Sequence, residues 1–166
     1  LSNHIRRRLK TGSFESFDVY YRFLTSPDGA AELEGFLDAI TTNETFFFRT
    51  EKHFTWLKTD LLTEVVAQHR AGNRSASLRI WSAGCATGEE PYSIAICLLN
   101  AIPDIDSWDI KILATDLDTR ALGVAAGGNY PEDRVSDLDP QLLRRWFLRG
   151  RGQFSKRIRV APSVQK

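Results

Sequence analysis

The residue types best suited to chemistry lie in three short stretches. Ala83-Gly84-Cys85-Ala86-Thr87-Gly88-Glu89-Glu90-Pro91 follows an apolar run. Its two glycines, four apart, let a ligand approach bare backbone, and the N–H groups of the following helix offer an anion site. The pattern is neither G-x-G-x-x-G nor a P-loop, which needs Lys-Ser/Thr after its last glycine. Glu89 and Glu90 would repel a pyrophosphate there but could accept from an ammonium or hydroxyl, so a ligand of mixed charge fits better; the plain alternative is that both acids complement the helix dipole. Asp116 ends a second apolar run, where an open parallel sheet places a carboxylate that accepts from a ribose diol. Asp118 reads instead as a helix cap. The third stretch, Thr41-Thr42-Asn43-Glu44-Thr45-Phe46-Phe47-Phe48-Arg49, combines backbone-bending polar residues, three aromatics and a cation, which suits a segment folded over a pocket. Phe46, Phe47 and Phe48 read as packed aromatics, leaving Asn43, Thr45 and Arg49 as candidate site residues. His4, His53 and His69 share no metal-ligand spacing, so no metal is expected, and no Ser-His-Asp or Cys-His arrangement can be assembled. Cys85 and Cys97 sit in apolar surroundings and read as reduced thiols.

These stretches need elements to hold them. The sequence has 166 residues, 42% hydrophobic and 26% charged, enough for one ordinary globular domain or a small domain with part of a larger one. No apolar run approaches the ~20 residues of a bilayer span, and no signal-peptide layout is present, so a soluble, cytoplasmic chain is expected. It begins at Leu1 and contains no Met, which suggests an excerpt of a longer protein. Apolar residues at helical spacing predict helices ending near Gly12, over Phe14 to Leu24, over Leu33 to Ile40 and from Phe54 to about His69. From Leu78 the texture becomes strand (78–83), helix (90–99), strand (110–115), helix (119–126), a helix opened by Pro140 that carries Leu142, Leu143, Trp146 and Phe147, and a third strand over Phe154 to Val160. Strands alternating with helices predict an α/β fold with a parallel sheet. The net charge of +1 hides a partition: residues 1–24 carry +3, residues 25–140 carry −10 and residues 141–166 carry +8. The basic C-terminal stretch lacks the interleaved aromatics of a base-stacking surface, so no nucleic-acid partner is expected.

In order along the chain, Thr42-Asn43-Glu44-Thr45 with Phe47-Phe48-Arg49, then Trp81-Ser82-Ala83 through Pro91-Tyr92-Ser93, then Ala114-Thr115-Asp116-Leu117-Asp118 with Leu122, Ala125, Gly128 and Tyr130, resemble the chemotaxis receptor methyltransferases, the CheR family. That resemblance covers nearly the whole chain. It implies a partial, doubly wound parallel sheet of the S-adenosylmethionine-dependent methyltransferase type, preceded by a small helical domain. Its divisions would be residues 1–40, the end of a helical domain; 41–77, a connecting motif, helix and linker; and 78–166, the first part of the cofactor-binding domain. The implied activity is O-methylation of receptor glutamates by S-adenosylmethionine, yielding S-adenosylhomocysteine. By the same resemblance Asn43, Thr45 and Arg49 border the cofactor together with Gly84 and Gly88, Glu89 contacts its methionine or ribose end, Asp116 holds the ribose, and Arg49 orients the incoming carboxylate. A glutamate, with a reference pKa of ~4.3, is already ionised at neutral pH, so alignment rather than a general base is what the reaction needs. The cationic N-terminal helix face, Arg6, Arg7 and Lys10 with Arg8, would attract the acidic helices of methyl-accepting receptors, without membrane insertion. The runner-up is a regulatory module that binds S-adenosylmethionine or S-adenosylhomocysteine without transfer.

Overall fold

The computed structural model describes residues 2–41 and 44–166, which form two compact units: residues 2–41 with 117–120, and residues 44–116 with 121–166.

The first unit is helical, with α1 (Ser2–Thr11), α2 (Phe17–Leu24) and α3 (Ala30–Ile40). Ser16 caps α2 by accepting from the Val19 N–H. Between α2 and α3 the chain turns at Pro27-Asp28-Gly29. Tyr20 is wholly buried and meets the rings of Phe14 and Phe36. Its hydroxyl donates to Glu32 (2.8 Å), which also accepts from Arg8 Nε (2.8 Å) and Nη2 (2.7 Å). Arg8 is therefore turned into the unit and does not join the outward face expected for it. Its position three residues after Ile5 and next to Leu9 puts it at the edge of the apolar stripe. Arg6, Arg7 and Lys10 are exposed.

The second unit begins with α4 (Glu51–Trp56) and α5 (Leu62–Arg70), joined through one wide turn at Leu57–Leu61 in which the Leu62 N–H reaches the Leu57 carbonyl. The continuous helix read from the periodicity is thus broken by a π-turn, and apolar spacing alone does not reveal the extra residue. Next come β1 (Ser77–Ala83), α6 (Glu89–Ala101) and β2 (Asp109–Thr115). The strands pair in parallel from Ser77 opposite Asp109 to Ala83 opposite Thr115. Leu78, Ile80, Ile110 and Ile112 pack with Leu62, Val65, Leu98 and Ile102 of α5 and α6. On the alternate positions Arg79, Trp81, Lys111 and Leu113 are exposed, so among the described residues one face of this sheet is covered by helices.

After α7 (Thr119–Gly127) the structure departs from the expected parallel continuation. The third strand is β5 (Arg157–Val160), and it lies antiparallel between β3 (Asn129–Pro131) and β4 (Phe147–Arg149) in a separate sheet. Gly150 explains part of this: a Cβ there would fall 1.9 Å from the Phe154 carbonyl oxygen, so only glycine permits the tight return that makes β4 and β5 antiparallel neighbours. Phe147, read as a helical residue, opens β4 instead, because α8 (Pro140–Trp146), capped by Asp139, ends one residue earlier. Phe154 belongs to a short turn before β5. Tyr130, Trp146, Phe147, Ile158 and Val160 join Phe47 and Ile96 in a second core. Since α6 contributes Ile96 to one core and Leu98 to the other, it is buried on most sides and anchors the unit. The architecture is a mixed α/β domain with parallel and antiparallel sheets.

Candidate functional site

The C-terminal ends of β1 and β2 meet as an open parallel sheet requires. The Gly84 and Cys85 N–H groups both donate to the Thr115 carbonyl, at 2.8 and 2.9 Å, and the Ala86 N–H donates to Asp116 Oδ2 at 2.7 Å. These bonds bring Asp116 beside the glycine loop, at the carboxyl ends of the paired parallel strands. Gly84 has φ +78°, and a Cβ there would meet nothing within 4 Å, so bare backbone faces open space. Gly88 has the opposite reason for being glycine: at φ +96° a Cβ would lie 2.7 Å from Ala125 Cβ and 2.8 Å from its Cα. The Tyr130 hydroxyl closes the loop by donating to the Thr87 carbonyl (2.7 Å). Burial, reinforced by the Glu89 charge, holds that phenol well above the usual tyrosine range, so it remains a donor.

Glu89 and Glu90 differ sharply. Glu90 is exposed and accepts from the Ser82 hydroxyl (2.6 Å). Glu89 is 0% exposed. Its Oε2 accepts from the Thr87 hydroxyl (2.6 Å), and its Oε1 accepts from Arg134 Nε (3.2 Å) and Nη2. The neighbouring Cys85 thiol is buried and raised in pKa chiefly by that burial, so it stays protonated rather than serving as a nucleophile.

The aromatic stretch docks on α6. Phe47 enters the second core edge-on to Tyr130 and Phe147. The Phe48 N–H donates to Ser93 Oγ (2.9 Å), whose hydroxyl in turn donates to the Glu89 carbonyl (2.6 Å). Phe48 and Thr50 both adopt left-handed backbone, φ +57° and +63°, which folds the segment back before α4. Thr45 is buried, and its carbonyl accepts from Arg134 Nη2 (2.5 Å). Arg49 is exposed, donates to the Glu44 carbonyl, and lies 5.8 Å from the centre of the Phe46 ring. Phe46 does not pack in the core as expected; it is 51% exposed, the alternation of the segment sending Thr45 and Phe47 inward and Phe46 outward. Asn43 lies outside the described residues.

Thr45, Gly84, Gly88, Glu89 and Asp116 are therefore gathered in one unit, with Arg49 on the same segment as Thr45. The residue that sequence reasoning missed is Arg134, in the short turn Glu132–Val135. The signal for it was indirect: an acid destined for a buried helix start needs a cation, but nothing local says which one. A cavity of about 700 Å³ lies elsewhere, on the antiparallel sheet, between Leu148, Arg149, Phe154 and Arg157.

Residues 43–165 match the family described as CheR methyltransferase, SAM binding domain. The chain belongs to the CheR methyltransferase family. Over 166 residues, all of this chain and 59% of the relative, it is 39% identical to a probable chemotaxis protein methyltransferase of Rhizobium etli. It is 40% identical over 164 residues to chemotaxis protein methyltransferase 2 of Pseudomonas aeruginosa, covering 99% of this chain and 55% of that one. Against the chemotaxis protein methyltransferase of Escherichia coli the figures are 38% over 163 residues, with 98% and 53% covered. The chain thus spans little more than half the length of these CheR relatives. Among the described residues, no helix is long and apolar enough to cross a membrane.

Proposed function

We propose that this chain carries the first part of the S-adenosylmethionine site of an enzyme that O-methylates glutamate side chains on chemotaxis receptors, and that β1, α6 and β2 begin a doubly wound sheet. The observation that supports it best is the meeting of the glycine loop with Asp116, tied by the Ala86 N–H at 2.7 Å. The donor set fits the cofactor. Bare backbone at Gly84 admits a nucleoside closely, and an adjacent carboxylate at Asp116 suits a ribose diol. When bound, S-adenosylmethionine supplies a methyl group on a sulfonium centre. The residues of this chain would do the rest: Asp116 accepts from ribose hydroxyls, the Thr45 to Arg49 segment borders the site, and Arg49 orients the incoming carboxylate through paired donors. The exposed cations of α1, Arg6, Arg7 and Lys10, would meet the acidic receptor helix.

Calorimetric titration with S-adenosylhomocysteine tests the site. Wild-type protein should bind, and Asp116→Ala should weaken binding by roughly 1–3 kcal/mol through the lost acceptor. Unchanged affinity in a folded Asp116→Ala variant would remove Asp116 from the site.

A further inference from the structure

Burying a carboxylate without compensation is costly, and truncating one partner of a buried pair leaves the other charge exposed to that cost. Glu89, where the glycine loop enters α6, has no solvent contact. The cation that compensates it comes from neither the loop nor the helix. Arg134 is 45 residues further along the chain, and its side chain is 38% exposed, so it reaches inward from the surface. One guanidinium makes three contacts: Nε and Nη2 to Glu89 Oε1, and Nη2 again to the Thr45 carbonyl. Glu89 opens α6 directly after the glycine loop, whereas Thr45 belongs to the aromatic stretch. Two other anchors among the described residues act further along that stretch, the Phe47 ring in the core and the Phe48 N–H on Ser93. Arg134 holds its Thr45 end.

We propose that Arg134 is a positioning residue of the cofactor site, its guanidinium bridging the buried Glu89 carboxylate to the Thr45 carbonyl and so fixing the 44–49 segment against the glycine loop. The proposal rests on the cofactor reading above. A planar fork is required because two acceptors on different segments must be met at once, which a lysine ammonium on a flexible stem does not reproduce. Since the Phe47 and Phe48 anchors do not involve Arg134, its loss should loosen the site and leave the core intact.

The test uses the full chain, titrated with S-adenosylhomocysteine, with amide hydrogen exchange followed at residues 44–49 and in α6. Arg134→Gln should weaken binding at least tenfold and speed exchange at 44–49, while amides in the middle of α6 keep wild-type protection. Arg134→Lys, which retains a cation for Glu89, should recover thermal stability but not affinity. Binding within threefold of wild type in either folded variant overturns the proposal, and so does a loss of protection spread equally through α6, which would make Arg134 a purely structural residue. If Arg134→Gln fails to fold, the Lys variant decides alone by the same affinity criterion. Wild-type protein that binds no S-adenosylhomocysteine would instead sink the cofactor reading, and this proposal with it.

Discussion

Arg49 is the residue whose role depends most on geometry. Its guanidinium is exposed and held by the Glu44 carbonyl, with the Phe46 ring beneath it. A cation near the attacking carboxylate lowers that group's reactivity, so any benefit must come from alignment exceeding the electrostatic cost. Lys would keep the charge and lose the planar fork. Arg49→Lys should then impair single-turnover methyl transfer, at saturating cofactor and receptor, by tenfold or more, about 1.4 kcal/mol, while S-adenosylhomocysteine affinity changes little. A rate within twofold of wild type would make Arg49 a structural residue. At this scale the sequence was informative where local rules act: Gly84 and Asp116 follow strand ends that a parallel pair must bring together, and Gly88 precedes the helix between them. It was silent where a contact joins distant segments, as with Arg134. It misled for Phe46, since an aromatic residue's preference for packing says nothing about which of three consecutive rings the backbone turns outward.

The element that carries the proposed receptor contact is α1. Its rotation is set by Arg8, held by Glu32 with two donors while the Tyr20 hydroxyl shares the same carboxylate. That arrangement leaves Arg6, Arg7 and Lys10 outward. Reversing these three to Glu should slow receptor methylation several-fold through weaker association, leave S-adenosylhomocysteine binding unchanged, and reverse the wild-type fall of the association rate with added salt. Unaltered kinetics with receptor would reduce α1 to a solvated surface. The brace beneath it has its own pH signature. Hydrogen bonds from Arg8, opposed by burial and aided by Tyr20, hold the Glu32 carboxyl below its ordinary value. A depressed folded-state pKa contributes stability that is present above the unfolded value of ~4.3 and is lost as pH falls through the folded one. Glu32→Gln should therefore cost about 1 kcal/mol at pH 7, and thermal melts of variant and wild type should converge on acidification towards pH 3. A difference that persists undiminished at pH 3 would show that the carboxylate charge contributes nothing. Helices of this unit were readable from their apolar spacing. The inward turn of Arg8 was not, because its partner lies 24 residues away.

Across the whole molecule, the parallel pair and its intervening helix follow from two seven-residue segments, rich in apolar residues such as Leu78, Ile80, Ile110 and Ile112, placed around a glycine loop. The antiparallel sheet was not legible, because two of its strands have three residues and the third has four, too few for alternation to register. The return between β4 and β5 rests on Gly150, a single residue that no strand pattern marks. A loop and carboxylate suited to a nucleoside, with a cation-bearing segment in the same unit, stand in a chain whose relatives are chemotaxis protein methyltransferases. The proposed reaction is ester formation on receptor glutamates. The direct measurement supplies S-adenosylmethionine carrying a radiolabelled methyl group to the full-length protein with a methyl-accepting receptor, followed by mild alkali. The receptor should carry label that alkali releases as methanol, the signature of a glutamate methyl ester. Receptor that stays unlabelled while the protein binds S-adenosylhomocysteine, or label that resists alkali, would contradict the proposed reaction.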